Sequence, residues 1–337
     1  MKISIIGTGY VGLVSSIGLA ENGHQVWSMD TNESKIHFLQ RGISPIYEKG
    51  LDKYLKKNLE KKTLSFTTSF EKAINNSKFI FIAVGTPMKL DTEEADISSV
   101  LDVAKKIGQT INENKIIIVK STVPMGTCEQ TKSIVQEELD KRGKNISFEI
   151  VSNPEFLREG CAIYDFLEPD RIIVGTDSEK GKQLMEELYL PWSRKGYPVI
   201  FMDLASSEMS KYASNALLAT KISFINEISK LCEKTSANID NIKKALGSDP
   251  RISPHFLNSG LGYGGCCFPK DVKALYKIAE QYDMEMNILK ATDKTNQEQR
   301  KFFINKILRK YNDVNGKKFS LWGLAFKPGT DDIREAP

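Results

Sequence analysis

Apolar runs alternate with amphipathic stretches along the first part of the chain in the manner of β-α-β units. Lys2-Ile3-Ser4-Ile5-Ile6 is a β-branched run that leads into Gly7-Thr8-Gly9-Tyr10-Val11-Gly12, a helical pattern from Leu13 to Asn22 and a stop at Gly23. A second run, Gln25 to Met29, ends in Asp30. Phe79 to Val84 and Lys115 to Lys120 are almost wholly apolar, as strands buried on both faces of a parallel sheet are. They end in Gly85-Thr86-Pro87 and Ser121-Thr122-Val123-Pro124, and Phe148 to Ser152 and Arg171 to Gly175 predict two further strands. The expected fold is α/β, with a Rossmann-like doubly wound N-terminal domain over 1–202.

Beyond it the period changes. Met209, Tyr212, Ala213, Ala216, Leu217, Ile222, Ile225, Ile228 and Leu231 recur at helical spacing, predicting one long central helix from Ser206 to about Glu233. Helices over Asp240–Leu246, Val272–Tyr282 and Asn296–Tyr311 complete an all-α domain over 203–312. Lys318 to Asp332 then reads as a strand and a glycine turn, the start of a second α/β lobe over 313–337. A single strand buries no core, so the chain is expected to be a shortened form of a longer protein.

The first glycine run carries a specific chemical expectation. Strand, G-x-G-x-x-G turn, helix and second strand ending in an acid form the dinucleotide fingerprint. Gly7 makes the tight turn, Gly9 admits the pyrophosphate and Gly12 lets helix pack on strand, with the helix N-terminus facing the phosphates. Asp30 would bond the adenosine ribose and repel a 2′-phosphate, which favours NAD over NADP. Lys35 either flanks the adenosine or is simply exposed. Thr86, Ser121 and Thr122 follow strand ends and so lie at the cofactor edge, Ser121 reading best as a helix N-cap.

A second stretch, Gly262 to Asp271, sets Cys266 and Cys267 beside Lys270 and Asp271 on a glycine-loosened loop. A thiolate beside a cation attacks electrophilic carbon, although cysteines also serve as small core residues. Between Asn153 and Gly160, Glu155, Arg158 and Glu159 share one loop, as a surface ion-pair cluster or as a general base with its companions. Lys211 and Asn215 fall on one helix face. The chain of 337 residues has 47 basic against 43 acidic side chains, a net charge of +4. That is too slight for a nucleic-acid partner and compatible with a small anion. Five cysteines, at 128, 161, 232, 266 and 267, have neither disulfide nor zinc spacing, so reduced thiols in a cytoplasmic protein are expected, with no metal. No apolar run is long enough to span a membrane.

On Gly7–Gly12, Pro45-Ile46-Tyr47-Glu48, Asn153–Gly160, Lys211 with Asn215, Arg251, the cysteine loop and Phe326-Lys327-Pro328, the sequence resembles the UDP-glucose 6-dehydrogenase family of NAD-dependent nucleotide-sugar dehydrogenases. The likeness runs essentially the whole length. It implies an NAD domain, a central helical domain that forms a homodimer, and a UDP-binding lobe of which 313–337 would be the first strand and turn. The implied reaction is oxidation of UDP-glucose to UDP-glucuronate with two NAD, through a thiohemiacetal and a thioester on Cys267. Cys266 stands where most members carry serine, which leaves two adjacent thiols. The resemblance makes Lys211 and Asn215 oxyanion stabilisers, has Asp271 and Thr122 position a water, and has Glu155 assist thioester hydrolysis within a network ordered by Glu159. It places Gly7, Gly9, Tyr10, Val11, Gly12, Asp30, Lys35, Thr86, Thr122, Glu159 and Lys270 at the cofactor. Glu155, Phe156, Leu157, Lys211, Asn215, Tyr263, Gly264, Lys327 and Arg334 are expected at the substrate, and Arg251 at the sugar of a neighbouring subunit. The alternatives are a GDP-mannose or other nucleotide-sugar dehydrogenase, a two-electron hydroxyacid or sugar-phosphate dehydrogenase, and a fragment that binds NAD without turnover.

Overall fold

The computed structural model describes residues 1–89 and 91–337. In chain order it forms β1 (Lys2–Ile6), α1 (Tyr10–Glu21), β2 (Gln25–Met29), α2 (Glu33–Gln40), α3 (Leu51–Glu60), β3 (Leu64–Thr67), α4 (Phe70–Asn75), β4 (Phe79–Ile82), α5 (Ser98–Thr110), β5 (Lys115–Val119) and α6 (Thr127–Lys141). There follow β6 (Phe148–Ser152), α7 (Ala162–Leu167), β7 (Ile172–Gly175), α8 (Glu179–Ser193), β8 (Val199–Met202), α9 (Leu204–Thr235), α10 (Ile239–Gly247), α11 (Phe268–Glu280) and α12 (Asn287–Tyr311). Two units emerge, one of Met1–Pro87 with Ala95–Lys211, the other of Met88–Glu94 with Tyr212–Pro337. The division falls inside α9.

The first unit is built on one sheet in the order β3-β2-β1-β4-β5-β6-β7-β8. Neighbours pair in parallel, except that β7 meets β6 antiparallel through Ser152 and Gly175. Alternation along the strands sorts the apolar side chains onto two faces. Ile3, Ile5, Phe79, Phe81, Ile116 and Ile118 meet Leu13, Ile17, Leu51, Leu55 and Phe166 on one face. Ile80, Ile82, Ile117 and Val119 meet Ala73, Ile74, Val100, Ala104, Ile107 and Val135 on the other. Chain order reverses between β1 and β4, and in open α/β sheets that crevice takes the ligand. Trp192 closes one corner of the core, with its ring edge-on to Phe166 and Tyr189 and its indole N–H donating to the Phe166 carbonyl at 2.9 Å.

The second unit is helical. Tyr212, Ala216, Ala219 and Ile225 of α9, Val272, Leu275 and Ile278 of α11 and Leu289 of α12 are among its buried apolar residues, with Leu257 and Tyr263 from the intervening loops. Ser223 donates to the Thr292 carbonyl at 2.8 Å, and Asn296 grips the loop ahead of α11, accepting from the Tyr263 N–H at 2.8 Å and donating to its carbonyl at 3.1 Å.

Two expectations are corrected. Lys318 to Leu324 forms no strand among the described residues. Phe319, Leu321, Trp322 and Leu324 are exposed there, because a strand exists only when a partner takes its backbone hydrogen bonds. Ser121 caps no helix, since its hydroxyl donates to the Val84 carbonyl at 2.6 Å and α6 begins only after Gly126. Among the described residues no helix is long and apolar enough to cross a membrane.

Replacing Trp192 by Phe removes the indole N–H that donates to the Phe166 carbonyl within the core. We expect a loss of about 1–3 kcal/mol, read as a lower urea midpoint with the helical circular dichroism of the native state retained.

Candidate active site

The glycine turn is shaped by contact. Gly7 adopts φ +103°, and a Cβ there would sit 2.6 Å from the Ala83 carbonyl oxygen; at Gly12 a Cβ would sit 1.9 Å from the Gly7 carbonyl oxygen. Gly9 faces open space, with nothing within 4 Å of its virtual Cβ, and as N-cap of α1 it leaves the first N–H groups without a side-chain acceptor. The outer glycines are therefore demanded by the fold, and the middle one is left for a ligand. At the end of β2, Asp30 accepts from the Thr8 N–H at 2.9 Å, the Thr8 hydroxyl at 2.6 Å and Lys35 Nζ at 2.9 Å. Burial alone would raise its pKa, but these donors outweigh it and hold the carboxyl down at about 2. An ionised acid at this point and an uncovered glycine beside a helix N-terminus fit the ribose and pyrophosphate of NAD. Thr86 donates to the Thr122 carbonyl at 2.8 Å, tying the loops that follow β4 and β5. Tyr10 donates to Glu48, and the Gly160 N–H reaches both, at 3.0 and 2.8 Å. The fingerprint turn is thereby joined to the loop that carries Glu155 and Glu159.

Glu155 is no surface charge. It is 6% exposed and pairs at 3.0 Å with Lys211, whose side chain is 4% exposed. Its second oxygen accepts from the Leu157 N–H at 2.6 Å. Burial would push its pKa up, yet Lys211, the Leu157 N–H and nearby Lys120 together bring it below the ordinary value, so it is ionised at neutral pH. Lys120 donates at 3.1 Å to Asn153 Oδ1, which also takes the Tyr189 hydroxyl at 2.5 Å, while Asn153 Nδ2 donates to the Ile173 carbonyl at 2.7 Å. Two cations lie over the Phe156 ring, Arg171 at 4.1 Å and Lys211 at 5.2 Å from its centre. Arg158 turns away to Asp165, and Glu159 is half-buried.

In the second unit, Cys267 is the N-cap residue of α11 and is half-buried, with Pro269 in the first turn of the helix. Asp271, 1% exposed, is held between Lys270 at 2.5 Å and Asn215 at 2.6 Å. Its N–H donates to the Cys267 carbonyl at 2.8 Å. Gly262 and Gly265 take φ of +106° and +80° in the loop that leads to the thiols. Tyr263 is buried with its ring edge-on to Phe268, and burial raises its phenol pKa well above the usual value. The loop therefore carries its two cysteines half-buried and anchors itself by its tyrosine.

Residues 1–193 match the UDP-glucose/GDP-mannose dehydrogenase family, NAD binding domain, and residues 205–298 match that family's central domain. The chain belongs to the UDP-glucose/GDP-mannose dehydrogenase family. A UDP-glucose 6-dehydrogenase of Bacillus subtilis is 46% identical over 337 residues, covering 100% of this chain and 75% of that protein. Among solved structures, a UDP-glucose dehydrogenase of Pyrobaculum islandicum is 38% identical with a TM-score of 0.94, over 99% of this chain and 76% of the other. A GDP-mannose dehydrogenase of Pseudomonas aeruginosa is 34% identical with a TM-score of 0.71, over 100% of this chain and 76% of the other. The chain is thus a nucleotide-sugar dehydrogenase, and its first unit is the family's NAD-binding domain.

Within this dehydrogenase the remaining expected site residues are more scattered. Arg251 is exposed and pairs with Asp249 of its own turn. Lys327 lies 5.3 Å over the ring of Phe326, Arg334 pairs with Asp332 at 2.8 Å, and Gly264 abuts the Glu335 carbonyl. Sequence reasoning passed over Lys120 and Asn296, and took Glu48 only as part of the motif that carries the resemblance, with no role. Lys120 left a trace, as a cation closing a run of four apolar residues; the contacts of Glu48 and Asn296 become visible only through partners distant in sequence.

Burial brings the Lys120 pKa down to about 8, against the pull of Glu155 and with the repulsion of Lys211. A cation whose folded pKa is lowered makes the unfolded chain the better proton acceptor, so stability rises with pH between about 8 and the ordinary 10.5. We expect the native protein to gain up to about 3 kcal/mol over Lys120→Met across that window. Urea titrations of both proteins at pH 7.5 and 10.5 read the difference.

Proposed function

We propose that the protein oxidises the C6 alcohol of UDP-glucose to a carboxylate in two hydride transfers to NAD. The observation that carries this reading is Cys267 at the head of α11, half-buried rather than packed away, with Lys270 and Asp271 in the turn that follows. NAD supplies the hydride acceptor. In the first step the alcohol yields a proton to a water positioned by Asp271 and the Thr122 hydroxyl. The resulting aldehyde has no route to release hydride until a nucleophile adds. Cys267 sulfur bonds to C6, giving a thiohemiacetal; loss of the second hydride leaves a thioester, and water then cleaves the C–S bond to free the acid and the thiol. Lys211 and Asn215 offer a cation and an amide N–H to the negative oxygen of these intermediates. Glu155, held ionised, takes a proton from the attacking water.

UDP-glucose is preferred to GDP-mannose because the relatives named as acting on it share more identity with this chain. Asp30, already ionised and facing Thr8 and Lys35, favours NAD over its 2′-phosphorylated form. We also propose a homodimer through the helical unit. Leu217, Phe224 and Leu231 recur every seventh residue on α9 and are 64%, 50% and 57% exposed, an apolar stripe that a second copy would cover. Arg251, exposed beside Asp249, is the residue we assign to the neighbouring subunit's sugar.

Cys267→Ser tests the covalent step. UDP-glucuronate formation should fall by about a thousandfold or more while NAD affinity stays within about twofold; undiminished acid formation contradicts the reading. For the interface, Phe224→Asp places a charge in the apolar stripe, and sedimentation should show monomers where the native protein shows dimers.

A further inference from the structure

Two thiols at adjacent positions meet in the loop ahead of α11. Cys266 Sγ and Cys267 Sγ lie 3.4 Å apart, in contact but unbonded, since a disulfide measures roughly 2.0 Å. Both are half-buried, whereas Cys128 and Cys232 are buried in the core. Two adjacent thiols within reach of solvent differ in kind from one reactive cysteine. A single thiol attacked by peroxide goes on to irreversible acids unless a second thiol intercepts the sulfenic acid.

We propose that Cys266 is the resolving thiol of Cys267, and that the pair is a modification site for small hydroperoxides. In the first step a Cys267 thiolate attacks the terminal oxygen of the hydroperoxide; the O–O bond breaks, the sulfur is oxidised to sulfenic acid and the peroxide leaves as water or alcohol. In the second, Cys266 sulfur attacks Cys267 sulfur and the sulfenic oxygen leaves as water. The balance is two thiols and one hydroperoxide to one disulfide, one water and one water or alcohol. Only the sulfurs need to approach. Gly265, with φ +80° and its N–H donating to the Arg334 carbonyl at 3.0 Å, precedes the pair and α11 follows it, so the approach falls to the two side chains rather than to the backbone. Adjacent Cα atoms stand about 3.8 Å apart, below the separation of roughly 4.4–6.8 Å usual for disulfides. The ring so formed is strained and is opened readily by small thiols, which makes the modification reversible. Formation of this disulfide does not depend on the proposed reaction. Its second consequence, loss of turnover, rests on Cys267 being the nucleophile.

The test is mass mapping of the full chain after a brief exposure to hydrogen peroxide, with N-ethylmaleimide blocking the thiols that remain. The peptide holding residues 266 and 267 should be lighter by two hydrogens and take up no maleimide. Dithiothreitol should return two alkylatable thiols, while exposed Cys161 reacts throughout. In Cys266→Ser, Cys267 should proceed to a sulfinic acid that dithiothreitol does not reverse. A measurement without any variant uses phenylarsine oxide, which joins two neighbouring thiols through one arsenic with release of one water. It should protect both cysteines from maleimide in the native chain. Sulfinic acid at Cys267 beside an alkylated Cys266 in the native protein would overturn the proposal, as would a disulfide to Cys161 or to a second chain, or failure of the arsenical to protect. A disulfide at this pair with NADH formation unabated would leave the site standing and remove Cys267 as nucleophile. Loss of turnover in Cys267→Ser with no disulfide in the native chain would do the reverse.

Discussion

The Glu155–Lys211 ion pair is the interaction on which the first unit's chemistry depends. A carboxylate and an ammonium withdrawn from water cost several kcal/mol each unless paired and hydrogen-bonded, and here both are almost wholly buried. Three segments converge to meet that cost: the end of β5 brings Lys120, the loop after β6 brings Glu155 and the Leu157 N–H, and the first turns of α9 bring Lys211. None can shift alone without stranding a charge. Asn153 extends the constraint into the sheet by taking Lys120 and Tyr189 on one amide oxygen and giving its N–H to Ile173. The result is a carboxylate that is ionised, enclosed and oriented, the state a proton acceptor in a hydrolytic step requires.

The cofactor end rests on sterics rather than charge. Gly7 and Gly12 fill positions where a methyl group would overlap backbone, and Gly9 alone is uncovered. The link from Tyr10 through Glu48 to the Gly160 N–H means that the turn facing the dinucleotide and the loop bearing Glu155 share one hydrogen-bonded anchor. The helical unit is organised in a comparable way, with Asn296 of α12 clamping Tyr263 by both backbone polar groups so that the thiols emerge from a fixed loop.

Local patterns were legible in the sequence because they are set locally. The fingerprint turn, the end of β2 at Asp30 and the apolar strands β1, β4 and β5 fall where period and glycine spacing put them. Statements that depend on a partner were not. The Lys318 to Leu324 run has strand composition but no ladder, and Ser121 has a capping residue's chemistry but spends it on the Val84 carbonyl. Whether Glu155 was exposed or buried could not be decided from neighbours in the chain, since Lys211 lies 56 positions away and Lys120 precedes it by 35. Burial is a tertiary property, set by partners that the local sequence does not name.

In the reaction we propose, a thiol acts on an aldehyde, which separates it from that of a simple alcohol dehydrogenase, and the electron count reports it without reference to any one residue. Purified protein given limiting UDP-glucose and excess NAD should form two NADH for every sugar consumed, with UDP-glucuronate as the product. One NADH per sugar, with the aldehyde accumulating, would contradict the account.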